Sequence, residues 1–216
     1  MGIFSRRQTA TAEPPTAAGQ GRLAAPSAAA GATPDPGLRA LTGHWTIDRP
    51  HSRIGFSVRH AMVTTVRGAF TDYDSTLYFD GADPSRSRAE IVIRVASVDT
   101  GVEQRDAHLV GKDFFDVRRF PEMTFRSTSA THESAESFRM TGDLTIRDTT
   151  RAVELQLDYL GSVVDPFGYE RTGFDGTTTI DRRDWGLVYN QRLEAGGSMV
   201  SEKVRLQFDI SAIRSS

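Results

Sequence analysis

The chain has 216 residues, 38% of them hydrophobic and 25% charged, a balance that suits a globular domain able to bury its own core. It contains no cysteine, which excludes disulfides, thiol catalysis and zinc sites with cysteine ligands. A net charge of −2 gives no overall attraction to nucleic acid or to an anionic membrane.

Residues 1–43 hold five of the nine prolines, eleven alanines and one aromatic, Phe4. Such a stretch has little to bury, so ordering it costs more entropy than packing returns. It is expected to be a disordered tail, removable through residue 40 without loss of stability, with one domain over 44–216. Arg6-Arg7 stands where an export signal places its arginines, but the polar, proline-broken run behind the pair is not the apolar segment such a signal needs. Cytoplasmic residence without stable membrane insertion is the expectation.

Past residue 43 the dominant period is two, the mark of half-buried antiparallel strands. Ile54, Phe56 and Val58 alternate with polar residues in 53–60, and 68–79 is a weaker candidate. Asp80 to Pro84 makes a turn, after which Ala89, Ile91, Ile93 and Val95 alternate in 89–95. Thr100 and Glu103 then have the spacing of a capping box and Gly111 offers a stop, so 102–110 is expected to be a short helix. On that helix Arg105, His108 and Lys112 fall on one stripe. Strands resume at 121–130, 138–147, 153–159, 170–181 and 200–210. About eight long strands with no helices to cover their apolar faces must close on themselves or pair as two sheets. The reading is all-β: an extended eight-stranded antiparallel β-barrel, lipocalin-like, with one short helix inserted around 102–110. A β-sandwich is the competing architecture.

Catalytic signatures are absent. There is no Gly-x-Ser-x-Gly elbow, no His-Glu-x-x-His and no phosphate-cradling glycine loop, so neither a cofactor nor a metal is expected. The outward faces mix both charge signs, unlike a surface that binds single-stranded nucleic acid.

Eight segments in order resemble the YceI-like family of polyisoprenoid-binding proteins. They are Trp45-Thr46-Ile47-Asp48; His51-Ser52 with Phe56, Val58 and His60; Gly68-Ala69-Phe70; Arg105-Asp106-Ala107-His108-Leu109; Asp113-Phe114-Phe115-Asp116; Phe120-Pro121-Glu122-Met123-Thr124-Phe125 with Ser127; Gly142-Asp143-Leu144-Thr145-Ile146; and Arg183-Asp184-Trp185-Gly186. The chain departs from the family pattern at Asp148, where glycine is usual, at Ala152, where proline is usual, and at Trp185, where phenylalanine is commoner. The resemblance implies a lipocalin-like barrel, often a homodimer, that binds polyprenyl chains or similar amphiphiles and has no established catalytic activity.

On that footing the expected function is non-enzymatic binding, storage or transport of an isoprenoid or fatty-acid-like lipid, against the alternative of an enzyme acting on a similar amphiphile. Arg105, His108, Lys112 and His60 are candidates for the head group, since Arg and Lys donate to anionic oxygens. The competing reading makes Arg105 and Asp106 a tie from the helix to a neighbouring strand, and His60 a buried, backbone-bonded histidine. Phe56, Phe70, Leu109, Phe114, Phe115, Phe125, Trp185 and Tyr189 are candidates for the tail pocket or, equally, for core filling.

Overall fold

The computed structural model describes residues 36–134, 136–192 and 196–215. Eleven strands make one sheet that closes on itself. Three pairs of them lie end to end as single long runs: β1 (Gly43–Ile47) with β2 (Arg53–His60), β3 (Thr64–Phe70) with β4 (Tyr73–Phe79), and β5 (Arg88–Arg94) with β6 (Val98–Asp99). Five unbroken strands follow: β7 (Glu122–His132), β8 (Ser137–Ile146), β9 (Thr149–Val164), β10 (Glu170–Asp181) and β11 (Val200–Arg214). Every run is antiparallel to its neighbours, and the eight runs form an up-and-down barrel. Its seam is β11, which pairs along one edge with β2 from Val200 to Asp209 and with β1 from Ala212 to Arg214. The expected barrel is therefore present, and the sandwich is set aside.

Alternation decides what faces inward. Along β9, Val153 and Leu155 are buried while Ala152, Glu154 and Gln156 are exposed; along β7, Met123, Phe125 and Ser127 are buried. The expected single strand over 68–79 is broken at Thr71 and Asp72, where Ser97 binds both backbone amides through its hydroxyl, at 3.2 and 3.0 Å. The turn after β8 carries its left-handed residue at Arg147 (φ 57°), so glycine is not required at Asp148.

Glycines admit large rings to the inner face. A Cβ on Gly68 would lie 2.5 Å from the Phe56 ring, and one on Gly142 would lie 2.4 Å from the Phe125 ring. Each glycine thus sits beneath an aromatic from the adjacent strand.

Most of the expected tail lies outside the described residues, but its last part does not behave as one. Pro36–Ala40 form helix α1, and Leu38 and Leu41 are only 2% and 4% exposed in the main core. They cover one end of the barrel beside Phe79, Met140 and Phe174, and the Trp45 indole N–H donates to the Leu41 carbonyl at 2.8 Å. Two leucines and a closing hydrogen bond are enough to order a segment that composition alone reads as unstructured. At the same end β9 runs past the first rung of β8, Ser137 opposite Asp158, and the β9–β10 hairpin exposes Val163, Val164 and Phe167.

An ion network pins the base of that hairpin. Arg171 on β10 bonds both Asp48, at the break between β1 and β2, and Asp165, with 2.7 Å to the latter. Burial pushes the Asp48 carboxyl up, but hydrogen bonds from Arg171 and His51 outweigh it and hold the group below the ordinary carboxylate range.

Two outcomes are expected. Leu38→Ala should lower unfolding stability in urea by about 2–4 kcal/mol, as buried leucine truncations do; no change would mean that α1 does not contribute to the core. Because the Asp48 pKa is depressed on folding, its stabilising effect is complete above about pH 4 and is lost as pH falls through the folded value. Asp48→Asn should therefore flatten the loss of melting temperature between about pH 6 and pH 3; an unaltered slope would remove this group from the acid response.

Candidate functional site: an apolar barrel cavity

The inward faces enclose a cavity of about 230 Å³. Its wall is almost entirely hydrocarbon, contributed by every long run of the barrel and by the segment between β6 and β7. Leu206 and Phe208 of β11, Leu155 and Leu157 of β9, and Ile91 and Ile93 of β5 are all part of it. Water in such a space has no partner for its hydrogen bonds, whereas an apolar guest leaves water on entering.

The insert between β6 and β7 closes the end away from α1. Helix α2 (Glu103–Leu109) has Val102 as its N-cap, without a side-chain cap bond. The expected capping box does not form. Asp106 instead accepts from the Thr100 amide at 3.0 Å and from the Thr100 hydroxyl, so the helix is tied to the preceding strand from inside its own first turn. Leu109 and Phe115 drop from this insert onto the cavity, where Phe115 meets Phe70 edge-on at 5.9 Å and Phe70 meets Phe56 at 5.7 Å.

Of the eight tail-pocket candidates, Phe56, Phe70, Leu109, Phe114, Phe115 and Phe125 line the cavity. Trp185 does not. It is buried beside the wall, with its indole N–H donating to the Leu144 carbonyl at 3.0 Å. Tyr189 is at the rim, edge-on to His108 and tilted against Phe114, with ring centroids 5.0 and 5.3 Å away.

The four head-group candidates do not converge. Arg105 turns back to Thr100, in the loop that leads into its own helix, donating to its hydroxyl at 2.7 Å and its carbonyl at 2.8 Å. His108 bonds Asp113 at 2.9 Å. Lys112 is exposed and has no partner among the described residues. His60 is on the last rung of β2, opposite Val200 and Thr64, and does not line the cavity.

The charged residue that does reach the cavity wall is Arg182, 4% exposed. Burial pushes its guanidinium below its ordinary value, while Glu202 and Asp181 pull the other way. Among the described residues no carboxylate bonds it. It donates to the carbonyls of Ser201 at 3.0 Å and of Leu187 and Val200, locking the segment after β10 to the start of β11. The carboxylates nearby are taken: Arg183 bonds Asp181 at 2.7 Å and Glu202 at 2.9 Å. Sequence reasoning passed over Arg182, although extending the inward period of β10 through Phe174 and Ile180 by two residues arrives at it. Among the described residues no group of three His, Asp or Glu side chains could hold a metal ion.

These features define a class, the closed antiparallel β-barrel with an apolar internal cavity. The profile of the YceI-like domain matches residues 45–212, and the chain belongs to that family. A UPF0312 protein of Photorhabdus laumondii is 33% identical over 177 residues, covering 81% of this chain and 88% of its own. The YCEI protein of Campylobacter jejuni has a TM-score of 0.63 at 28% identity, over 78% of this chain and 96% of that one. A polyisoprenoid binding domain from Saccharophagus degradans shares the fold, with a TM-score of 0.58 at 13% identity over 79% of this chain and 98% of its own.

The cavity depends on where the aromatic rings are allowed to rest. Gly142→Ala would place a methyl 2.4 Å from the Phe125 ring and 2.7 Å from the Arg126 carbonyl oxygen. It should destabilise the fold by about 1–3 kcal/mol, the usual range for overpacking. A melting temperature equal to wild type would show that the ring moves freely and that the glycine is not needed.

Proposed function

We propose that this protein binds the hydrocarbon tail of an isoprenoid-type or other amphiphilic lipid inside its barrel, without chemical change, as a carrier or store. The observation that carries the reading is a wall of hydrocarbon around a cavity of about 230 Å³. Each methylene moved from water to such a wall contributes about 0.8 kcal/mol before the costs of ordering. Arg182 gives three of its five N–H groups to backbone carbonyls and the rest of the lining is hydrocarbon, so in this reading the head group sits at the rim near His108 and Lys112. The polyisoprenoid binding domain from Saccharophagus degradans, which has the same fold, supports the class of ligand.

Organic extraction of the purified protein followed by mass spectrometry should release an intact prenyl or acyl lipid. Val204→Trp, which fills the cavity from the β11 wall, should abolish that recovery and the uptake of added prenyl alcohol. A wild-type protein that yields no lipid and takes up neither prenyl alcohol nor fatty acid would sink the reading. Turnover of added prenyl pyrophosphate that is lost in His108→Ala would replace it with the enzymatic alternative. Homodimer formation and cytoplasmic residence belong to the same proposal. Sedimentation equilibrium giving the mass of a single chain would remove the first, and fractionation of cells expressing the full chain reads the second.

A further inference from the structure

The hairpin joining β2 to β3 is built against its own backbone chemistry. The Val63 amide donates to the His60 carbonyl at 3.1 Å, and the two residues between them, Ala61 and Met62, both lie in the left-handed region at φ 49° and 62°. His60 pairs with Thr64, so the loop has three residues, 61–63, and its two left-handed positions are ones that asparagine and glycine adopt with least strain. Here it carries neither, and it holds Met62 and Val63 out to solvent at 69% and 76% exposure. Turn geometry does not account for the choice of residues, and strain retained at an exposed tip points to function.

The tip is next to the closed end of the cavity. The Ala61 amide donates to the Met199 carbonyl at 2.7 Å. Val200, the next residue, lines the cavity and is held on both sides by the Asn190 side chain, at 2.7 and 3.0 Å. Two residues before Asn190, Val188 is 66% exposed. Tyr189 between them meets edge-on His108 of the insert that covers the cavity. Met62, Val63 and Val188 thus stand on segments that meet at the rim. Arg59, bonded to the Thr65 hydroxyl at 3.0 Å, and Lys112 add two cations that have no carboxylate partner among the described residues.

We propose that this rim docks on the surface of a lipid bilayer. Met62, Val63 and Val188 enter the interfacial layer, Arg59 and Lys112 meet anionic phosphates, and the insert over the cavity faces the membrane from which a lipid is collected. The proposal rests on the lipid-binding reading of the cavity. Continuity with that cavity favours a bilayer over a second copy of the chain as the occupant.

The test is flotation of the full chain with vesicles of phosphatidylcholine alone, or with about a third phosphatidylglycerol. Wild type should float, more strongly with the anionic lipid and less in high salt. The double substitution Ala61→Asn and Met62→Gly relaxes the turn, so its melting temperature should equal or exceed wild type. Its vesicle-bound fraction should fall about tenfold, since a buried apolar side chain is lost. Its uptake of a fluorescent prenyl alcohol in solution should be unchanged. Phe167→Ser, at the opposite end, should float like wild type. Failure of wild type to float, or equal flotation of the turn variant, would overturn docking while leaving the cavity reading intact. Self-association without vesicles that the turn variant loses, with flotation unaffected, would overturn it in favour of a contact between copies. Absence of alcohol uptake by wild type would overturn the cavity reading and this proposal with it.

Discussion

Backbone hydrogen bonding carried all the way round the wall is the constraint from which the remaining features follow. β11 makes it possible. It is 15 residues long, pairs with β10 along one edge and takes both β1 and β2 along the other. The short helical turn at Arg49–His51 sets β1 and β2 end to end so that one strand can serve both. Once the ladder is closed, alternation leaves each side chain only two choices, in or out. The inward set is hydrocarbon, and because a ring of eight runs is wider than its side chains are long, a space remains.

The two ends of that space are closed by different means. At one end α1 and Leu41 stopper the barrel with two buried leucines and the Trp45 hydrogen bond. At the other, the run of β5 and β6 parts from β7 beyond Arg94, and α2 with the loop after it lies over the gap. This cover is held by polar ties through Thr100, Arg105 and Asp106, by edge-on contact of His108 with Tyr189, and by Leu109, Val110, Phe115 and Val117 packed against the core.

Charge is kept off the interior by the same economy. Arg182, in the apolar wall, gives three of its five N–H groups to backbone carbonyls, and among the described residues the carboxylates around it pair with Arg183. The buried arginine fastens the rim by joining the segment after β10 to the start of β11.

The strands, the closure of the sheet and the apolar character of its interior were legible in the sequence, because alternation is a local property and period two survives any tertiary context. Six of the proposed pocket residues line the cavity for the same reason: Phe56, Phe70 and Phe125 lie on strands whose parity is fixed, and Leu109, Phe114 and Phe115 follow in one short insert. What only the tertiary structure decided concerns direction and partnership. Arg105 has the right spacing for a clamp, but whether its fork points to a ligand or back to Thr100 is set by where the chain beneath it runs. Trp185 has the character of a pocket residue, yet the carbonyl of Leu144 claims its indole. Leu38 and Leu41 sit in an alanine- and proline-rich stretch whose composition argues against order, and only the open end of a barrel formed by residues far along the chain gives them something to cover. Period and composition are written in neighbouring residues, whereas a side chain's partner is chosen by segments that meet only after the sheet has closed.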